Sequence, residues 1–321
     1  MAAGQGTTLI HRALVYSGEP EFLAVAVPYL RGGLAAGDAV LVAAPVPRLE
    51  LVRRALGADA DQALFVDVAQ WYRHPVRTIA AYDGFLRARA PRRVRALAEL
   101  EWAARSPLET REWIRYEAIV NAVFDASGAS ALCAYDRTAA PPGVVAAARR
   151  THPELVEDSR PRPSPGYTEP SRLSAELDRA PLRPPAIFDS IPIESADLRE
   201  VRGFVAACAA RHGLAGAALG GLLVAVTELA TNAVKHGVPP MAVRMWAEDG
   251  DLICEVADRG YWHPSAMLGY VPPETAAGGG FGLWGVRMLS DIVQVQAGWD
   301  GTVVRLRTRL SGHSWPSGPA G

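Results

Sequence analysis

Seven prolines fall between residues 161 and 185, at Pro161, Pro163, Pro165, Pro170, Pro181, Pro184 and Pro185. No helix interior or central strand runs through such a stretch, because each proline removes a backbone donor and fixes its φ. The stretch therefore divides the 321-residue chain, and the patterning on its two sides differs. We read 1–157 as one domain and 158–186 as a semi-rigid linker poor in sheet and helix. Residues 187–310 form a second domain, and 311–321, rich in Gly, Ser and Pro, a disordered tail. Each half is long enough to bury a core of its own.

Upstream of the prolines, short apolar runs alternate with helical periods. Strands are expected at Leu9–Tyr16, Ala39–Ala44, Leu64–Val68, Val94–Leu100 and Ala131–Tyr135. Helices are expected at Glu21–Leu30, Arg48–Leu56, Val76–Ala90, Leu108–Ala126 and Val144–Arg150. Such alternation predicts an α/β domain with a parallel sheet covered on both faces. Downstream the order changes. Helices at Asp197–His212 and Ala217–His236 precede two period-two strands, Met241–Ala247 and Leu252–Ala257, joined around Asp249-Gly250. A helix at Leu283–Leu289 and a hairpin of Ile292–Gln296 with Thr302–Thr308 follow. This predicts an α+β sandwich on an antiparallel sheet.

Composition removes several function classes. Of the 33 Lys and Arg residues only Lys235 is lysine, and His236 follows it, so no G-x-x-x-x-G-K-[ST] phosphate loop exists. A net charge of -1, with neither a basic stripe nor a helix-turn-helix pattern, argues against direct nucleic-acid binding. Cys133, Cys208 and Cys254 are odd in number and form no C-x-x-C pair, which argues for reduced, buried thiols over a disulfide framework or a zinc site. Leu214–Val234 is apolar enough to resemble a membrane span, but Thr227, Glu228, Thr231 and Asn232 crowd one part of it, so a buried core helix is expected. No signal peptide precedes the first strand, and a cytoplasmic location is expected.

Three elements of the second half carry chemistry. Glu228, Asn232 and Lys235 lie at i, i+4 and i+7 and make a polar stripe on an apolar helix. Asp258-Arg259-Gly260 follows an apolar strand, so that a carboxylate stands where it can accept from an exocyclic amine beside a close-approach glycine. Gly278-Gly279-Gly280-Phe281-Gly282-Leu283 leads into a helix whose N-terminus suits a phosphate. Each alone is a common accident; a carboxylate and an amide on a helix can equally be satisfied by nearby backbone.

Taken in order, these elements resemble the N, G1 and G2 boxes of the GHKL (Bergerat) ATPases. The pattern E-L-A-T-N-A-V-K-H-G, G-F-G-L-W-G-V-R-M-L-S-D and D-G-T-V-V-R-L resembles most the bacterial anti-sigma-factor serine kinases, over about residues 185–310. The resemblance implies that Asn232 binds Mg²⁺, Glu228 is the general base, and Asp258 reads adenine with Gly260 beside the base. It implies that Gly280, Gly282 and Leu283 close over the phosphates, that Thr302 lies near the adenine pocket, that Lys235 is near the nucleotide, and that 261–279 form a lid. Related kinases often carry Arg where Phe281 stands, which bears on transfer more than on binding. His152, just before the prolines, has no room for a histidine kinase's dimerising hairpin and is read as a surface or packing residue.

The first half shows no catalytic signature. Its pattern H-R-A-L-V-Y, E-F-L, R-Y-E-A-I-V-N and L-C-A-Y-D resembles MEDS sensory domains, RecA-like folds without a usable P-loop, over about residues 9–165. His11, Glu99, Glu101, Glu117, Asn121, Tyr135 and Asp136 are its polar signatures. Glu101, Tyr135 and Asp136 would suit a ligand at the carboxyl ends of the strands, and the same residues serve equally as caps and core cross-links. Trp71, Trp102 and Trp113 are expected in the core. Together the resemblances imply a regulatory protein that binds ATP and Mg²⁺, with an unidentified small-molecule or protein signal at the first domain. It would phosphorylate a STAS-type anti-anti-sigma protein; the alternative is a nucleotide-gated module that sequesters a sigma factor without kinase activity. Related kinases pair, which leaves a homodimer open.

Overall fold

The computed structural model describes residues 8–265, 267–271 and 282–310. The chain forms two compact units that divide between Ser174 and Ala175. The first unit carries β1 (Ile10–Tyr16), α1 (Gly18–Ala35), β2 (Ala39–Ala44), α2 (Val46–Leu56), β3 (Ala63–Asp67), α3 (Val68–Trp71) and α4 (Pro75–Arg89). It continues through β4 (Val94–Glu99), α5 (Pro107–Val123), β5 (Ser130–Asp136), α6 (Pro142–Thr151), β6 (Glu154–Glu157) and β7 (Arg160–Pro163). The sheet order is β3-β2-β4-β5-β1-β6-β7, parallel throughout except for the last pair. The interior strand β2, Ala-Val-Leu-Val-Ala-Ala, is buried at every residue, as a parallel strand covered on both faces requires. Helix α5 starts at a capping box: the Glu109 amide donates to the Ser106 hydroxyl and the Ser106 amide donates to the Glu109 carboxylate.

The proline-rich stretch is not the bare linker its composition implied. The chain reverses at Asp158 and Ser159, whose φ values of 49° and 60° make a tight hairpin turn, and β7 pairs antiparallel with β6. Pro161 and Pro163 occupy alternate positions of this last strand, so Arg160 and Arg162 keep their amides for the ladder. Helix α7 (Pro170–Leu177) then starts at a proline and runs across the division between the units.

The second unit continues with β8 (Asp189–Pro192), α8 (Arg199–Arg211), α9 (Gly216–His236), β9 (Ala242–Glu248), β10 (Asp251–Asp258), α10 (Gly282–Leu289), β11 (Ile292–Gly298) and β12 (Gly301–Arg309). Its antiparallel sheet has the order β11-β12-β10-β9-β8. Asp249 and Gly250, with φ of 52° and 82°, turn β9 into β10. Helices α8, α9 and α10 pack with one face of the sheet in a single core that includes Val205, Leu222, Leu229, Leu252, Cys254 and Leu306. Helix α9 has the length and composition to cross a membrane, and its apolar face belongs to this core.

The central strand β10 is buried from Asp251 to Ala257. Alternation sends Leu252, Cys254 and Val256 into the helix-covered core and Glu255 to the other face. There Glu255 is 0% exposed, and register sets it directly opposite Arg244 of β9 and Arg305 of β12. Arg305 donates twice to one carboxylate oxygen, at 3.0 and 2.6 Å, and Arg244 donates to the other at 3.1 Å. Arg305 also lies over the Trp246 ring. Removing one member of such a group leaves an uncompensated buried charge, which costs about 3–5 kcal/mol. Glu255→Ala should therefore lower the unfolding free energy of the second unit by about 3–5 kcal/mol in urea denaturation, because Arg305 is left buried without its partner.

Candidate functional site

The end of β10 gathers the second unit's sequence signals. Asp258 closes the strand, and its Oδ1 accepts from the Gly260 amide at 2.6 Å and from the Val238 amide at 3.4 Å. Arg259 returns a backbone bond to the Val238 carbonyl, which fastens the strand end to the turn after α9. Thr302 lies opposite Asp258 on β12, is buried, and donates from its hydroxyl to the Gly260 carbonyl at 3.1 Å. Asp258, Gly260, Thr302 and the Gly237-Val238 turn thus form one contiguous wall. The second carboxylate oxygen of Asp258 has no hydrogen-bond partner among the described residues.

Two glycines are required by close approach. A Cβ at Gly260 would stand 2.7 Å from Asp258 Oδ1, and one at Gly237 would stand 2.6 Å from the Ala233 carbonyl and 2.9 Å from Asp258 Cγ. Glu228 and Asn232 are half-buried on α9 upstream of this wall, and neither makes a side-chain hydrogen bond or ion pair among the described residues. Lys235 is exposed in the last turn of the same helix. Gly282, at φ 56°, opens α10 in a conformation that a side chain would strain, and Leu283 packs against the core from that helix. Helix α10 lies against α9, where the Leu289 carbonyl passes within 3.4 Å of a Cβ position on Gly221. Gly280 and Phe281 lie outside the described residues, as do residues 266 and 272–279 of the expected lid.

In the first unit, the carboxyl ends of β1, β4 and β5 converge. Tyr16 donates to Glu99 Oε1 at 2.8 Å, and Arg48 stands 3.0 Å from Glu99 Oε2 and 3.8 Å from Asp136. The Arg48 guanidinium lies over the rings of Tyr16 and Phe22. Burial lifts the Glu99 carboxyl above its ordinary value, against the pull of Arg48. Asp136 is held below its ordinary value because hydrogen bonds from Thr138 and the charge of Arg48 outweigh its burial. Glu101 is exposed and does not join this group. The start of α1, where a P-loop would bind phosphate, is occupied by the chain itself: the Ser17 amide donates to Glu21 Oε2 at 2.7 Å.

A second polar group lies deeper. His11 on β1, Glu117 and Asn121 on α5, Cys133 on β5 and His152 after α6 meet inside the unit. The imidazole rings lie tilted at 40° with centroids 4.0 Å apart, and His11 Nε2 is 3.3 Å from Cys133 Sγ. Both imidazoles approach Glu117 Oε2 at 3.5 Å. Burial, with His11 beside it, holds the His152 imidazole well below its ordinary value, and burial with the Glu117 charge pushes the Cys133 thiol up. His152 is 0% exposed, so of the two readings, surface or packing, the surface one is corrected: the residue packs inside a buried polar cluster. Its lone occurrence beside a proline gave no signal of this. Cys133, Cys208 and Cys254 are all buried and free, and Trp102 and Trp113 are core residues. A cavity of about 50 Å³ adjoins the cluster, lined by His11, Glu117, Cys133, three tyrosines and apolar side chains.

Comparison with known proteins places these two units. Residues 10–153 match the family model of the MEDS domain, described as the methanogen/methylotroph, DcmR sensory domain. Residues 191–308 match the model of the histidine kinase-like ATPase domain. No curated protein was found that matches the chain. A solved structure, that of the RsbU and RsbW domains of a Mycobacterium tuberculosis protein, is 24% identical over 40% of this chain at a TM-score of 0.30. The match spans about a third of that structure's chain, 34% of its length.

The wall around Asp258 is tight enough to test. Gly260→Ala should lower stability by about 1–3 kcal/mol, since its Cβ must displace the Asp258 carboxylate and break the Gly260 hydrogen bond. Gly203→Ala, at a helix position where a Cβ meets nothing within 4 Å, is the control and should leave the urea midpoint unchanged or raise it.

Proposed function

We propose that this chain, which joins a MEDS-type α/β half to a histidine kinase-like ATPase half, is an ATP-binding bacterial regulatory protein. The nucleotide-binding half is residues 187–310 and the sensory half is residues 1–157. The observation that carries the reading is the convergence on the end of β10. The Asp258 carboxylate is fixed through one oxygen by Gly260 and Val238, while the other is left for a ligand donor. An adenine amine is such a donor, and Thr302 and Gly260 make the wall beside it.

Asn232 and Glu228 supply oxygen donors without partners of their own, which fits a hard, hydrated cation such as Mg²⁺. Asn232 would hold Mg²⁺, which when bound neutralises charge on the phosphates. Glu228, one turn earlier, would accept the proton of an attacking hydroxyl. Gly280, Gly282 and Leu283 would line the phosphates at the start of α10, and Lys235 would flank the nucleotide. None of these side chains is a strong nucleophile, so the chemistry rests on positioning and charge stabilisation. The acceptor we propose is a Ser or Thr of a STAS-type anti-anti-sigma protein, with the sigma factor as the competing partner, in the cytoplasm. The second reading, a nucleotide-gated binder of a sigma factor without phosphotransfer, is favoured by Phe281, where similar kinases often carry Arg.

Calorimetric titration with Mg·ATP checks the pocket. Asp258→Ala should weaken binding by at least about tenfold, equivalent to about 1.4 kcal/mol, and Asn232→Ala should remove the Mg²⁺-dependent part. Equal affinity in Asp258→Ala would remove the pocket assignment. Labelled ATP with a STAS-type partner then separates the two activities. Transfer that disappears in Glu228→Ala supports the kinase, and tight ATP binding without transfer supports the gated binder.

A further inference from the structure

The buried group in the first unit has a chemistry that the nucleotide reading does not use. His11, Glu117, Cys133 and His152 each direct one donor atom to a common point, and these four atoms lie within 4.8 Å of one another. Hydrogen bonds fix which imidazole nitrogens face it. The Asn121 amide nitrogen donates to the carbonyls of Glu117, Ala118 and Thr151, so its oxygen faces His11 and accepts from His11 Nδ1 at 3.0 Å. His152 Nδ1 lies 2.9 Å from the Ala148 carbonyl, which can only accept. Both rings therefore carry their proton on Nδ1 and turn Nε2 inward. Two imidazolium rings 4.0 Å apart in a buried site would repel strongly, so at least one inward nitrogen presents a lone pair.

The centre thus collects two inward imidazole nitrogens and a carboxylate, with one thiol among them. His152 Nε2 is fully buried and has no hydrogen-bond partner. Among the described residues no Arg or Lys lies within ion-pair distance of Glu117, whose partners there are the two imidazoles and the Cys133 thiol. Orphaned acceptors of this kind are costly in a core unless something positive sits between them.

We propose that His11, Glu117, Cys133 and His152 bind a divalent transition-metal ion of the zinc class. The donor set N₂SO suits a four-coordinate site, and metal–ligand bonds of about 2.0–2.3 Å set donor–donor separations of about 3.3–3.7 Å in a tetrahedron. The observed His11–Cys133, His11–Glu117 and His152–Glu117 separations are 3.3, 3.5 and 3.5 Å. The Asn121 amide and the Ala148 carbonyl are the outer partners that ligating imidazoles require to hold their orientation. On binding, the S–H bond of Cys133 breaks as the sulfur–metal bond forms, and the proton leaves to solvent. The ion would tie β1, α5, β5 and the end of α6 together at one point.

The test uses the full chain. Elemental analysis after gel filtration should find about one equivalent of zinc per chain, released by a chelator. Cobalt(II) added to the folded, metal-free chain should give the intense visible bands of a four-coordinate ion and a near-ultraviolet sulfur-to-cobalt charge-transfer band. Cys133→Ser should abolish the charge-transfer band with the far-ultraviolet circular dichroism unchanged, and His152→Gln should weaken cobalt binding by at least about tenfold. A folded chain that holds no metal and gives no cobalt spectrum overturns the site, as does a charge-transfer band that survives in Cys133→Ser. Should both variants fail to fold, the Cys208→Ser, Cys254→Ser double variant decides: the band should persist in it, and its loss overturns the site.

Discussion

The second unit depends on the register of β10. A strand buried along nearly its whole length can hold polar groups only where its neighbours answer them. Glu255 meets Arg244 and Arg305 across the ladder, and Asp251 faces Arg307 and Arg309 at the strand's start. A slip of one residue would turn Glu255 into the core of Leu252, Cys254 and Val256 and strand both arginines. The ion group is thus an obstacle to every other register, whatever its net contribution to stability. Because register is fixed, so is the point where the strand ends. Asp258 then meets Thr302 on one side and the turn after α9 on the other. The geometry of the candidate nucleotide wall is inherited from charges that lie three residues away on the strand.

Both units place their polar chemistry under the same rule and reach different results. Around Asp258 the backbone takes up one carboxylate oxygen and leaves the other, so the site is stable without a ligand yet able to accept one. Around Glu117 no backbone donor intervenes, and the acceptors face one another inside the core. The first arrangement suits a ligand that comes and goes. The second suits an occupant that stays, because removing it restores the full cost of the orphaned groups. The network of Tyr16, Arg48, Glu99 and Asp136 is intermediate: one guanidinium stands between two carboxylates at the strand ends, and the tyrosine hydroxyl takes up one oxygen of Glu99.

Most of the architecture was legible because local rules agreed with the tertiary outcome. The fully apolar β2 and the amphipathic α5 with its capping residues could be read directly, as could the Asp249-Gly250 turn. The order Glu228, Asn232, Asp258, Gly282, Thr302 was legible because three short signals lie close in sequence on elements with clear periods. The edge strand β7 was not, since proline at alternate positions is invisible as a strand until a neighbour with matching register is known. The buried cluster was not legible either. Its four donors come from β1, α5, β5 and the end of α6, and metal-site rules look for paired cysteines and histidines at short spacing. Counting cysteines argued against a zinc site for that reason, while the fold brings one cysteine to two histidines from opposite ends of the domain.

The missing P-loop takes on a structural meaning at α1. In a parallel sheet the turn after β1 is where an anion would meet free amides and the positive end of a helix. Here Glu21, in the first turn, reaches back to the Ser17 amide and brings its own negative charge to that position, with Arg137 beside it. A phosphate would have to displace a carboxylate that the helix dipole already favours. The lysine that such a site would need is absent, and the chain's lone lysine sits on α9 in the other unit. The first unit therefore has a parallel sheet whose turn after β1 is closed to an anion by the chain's own side chain.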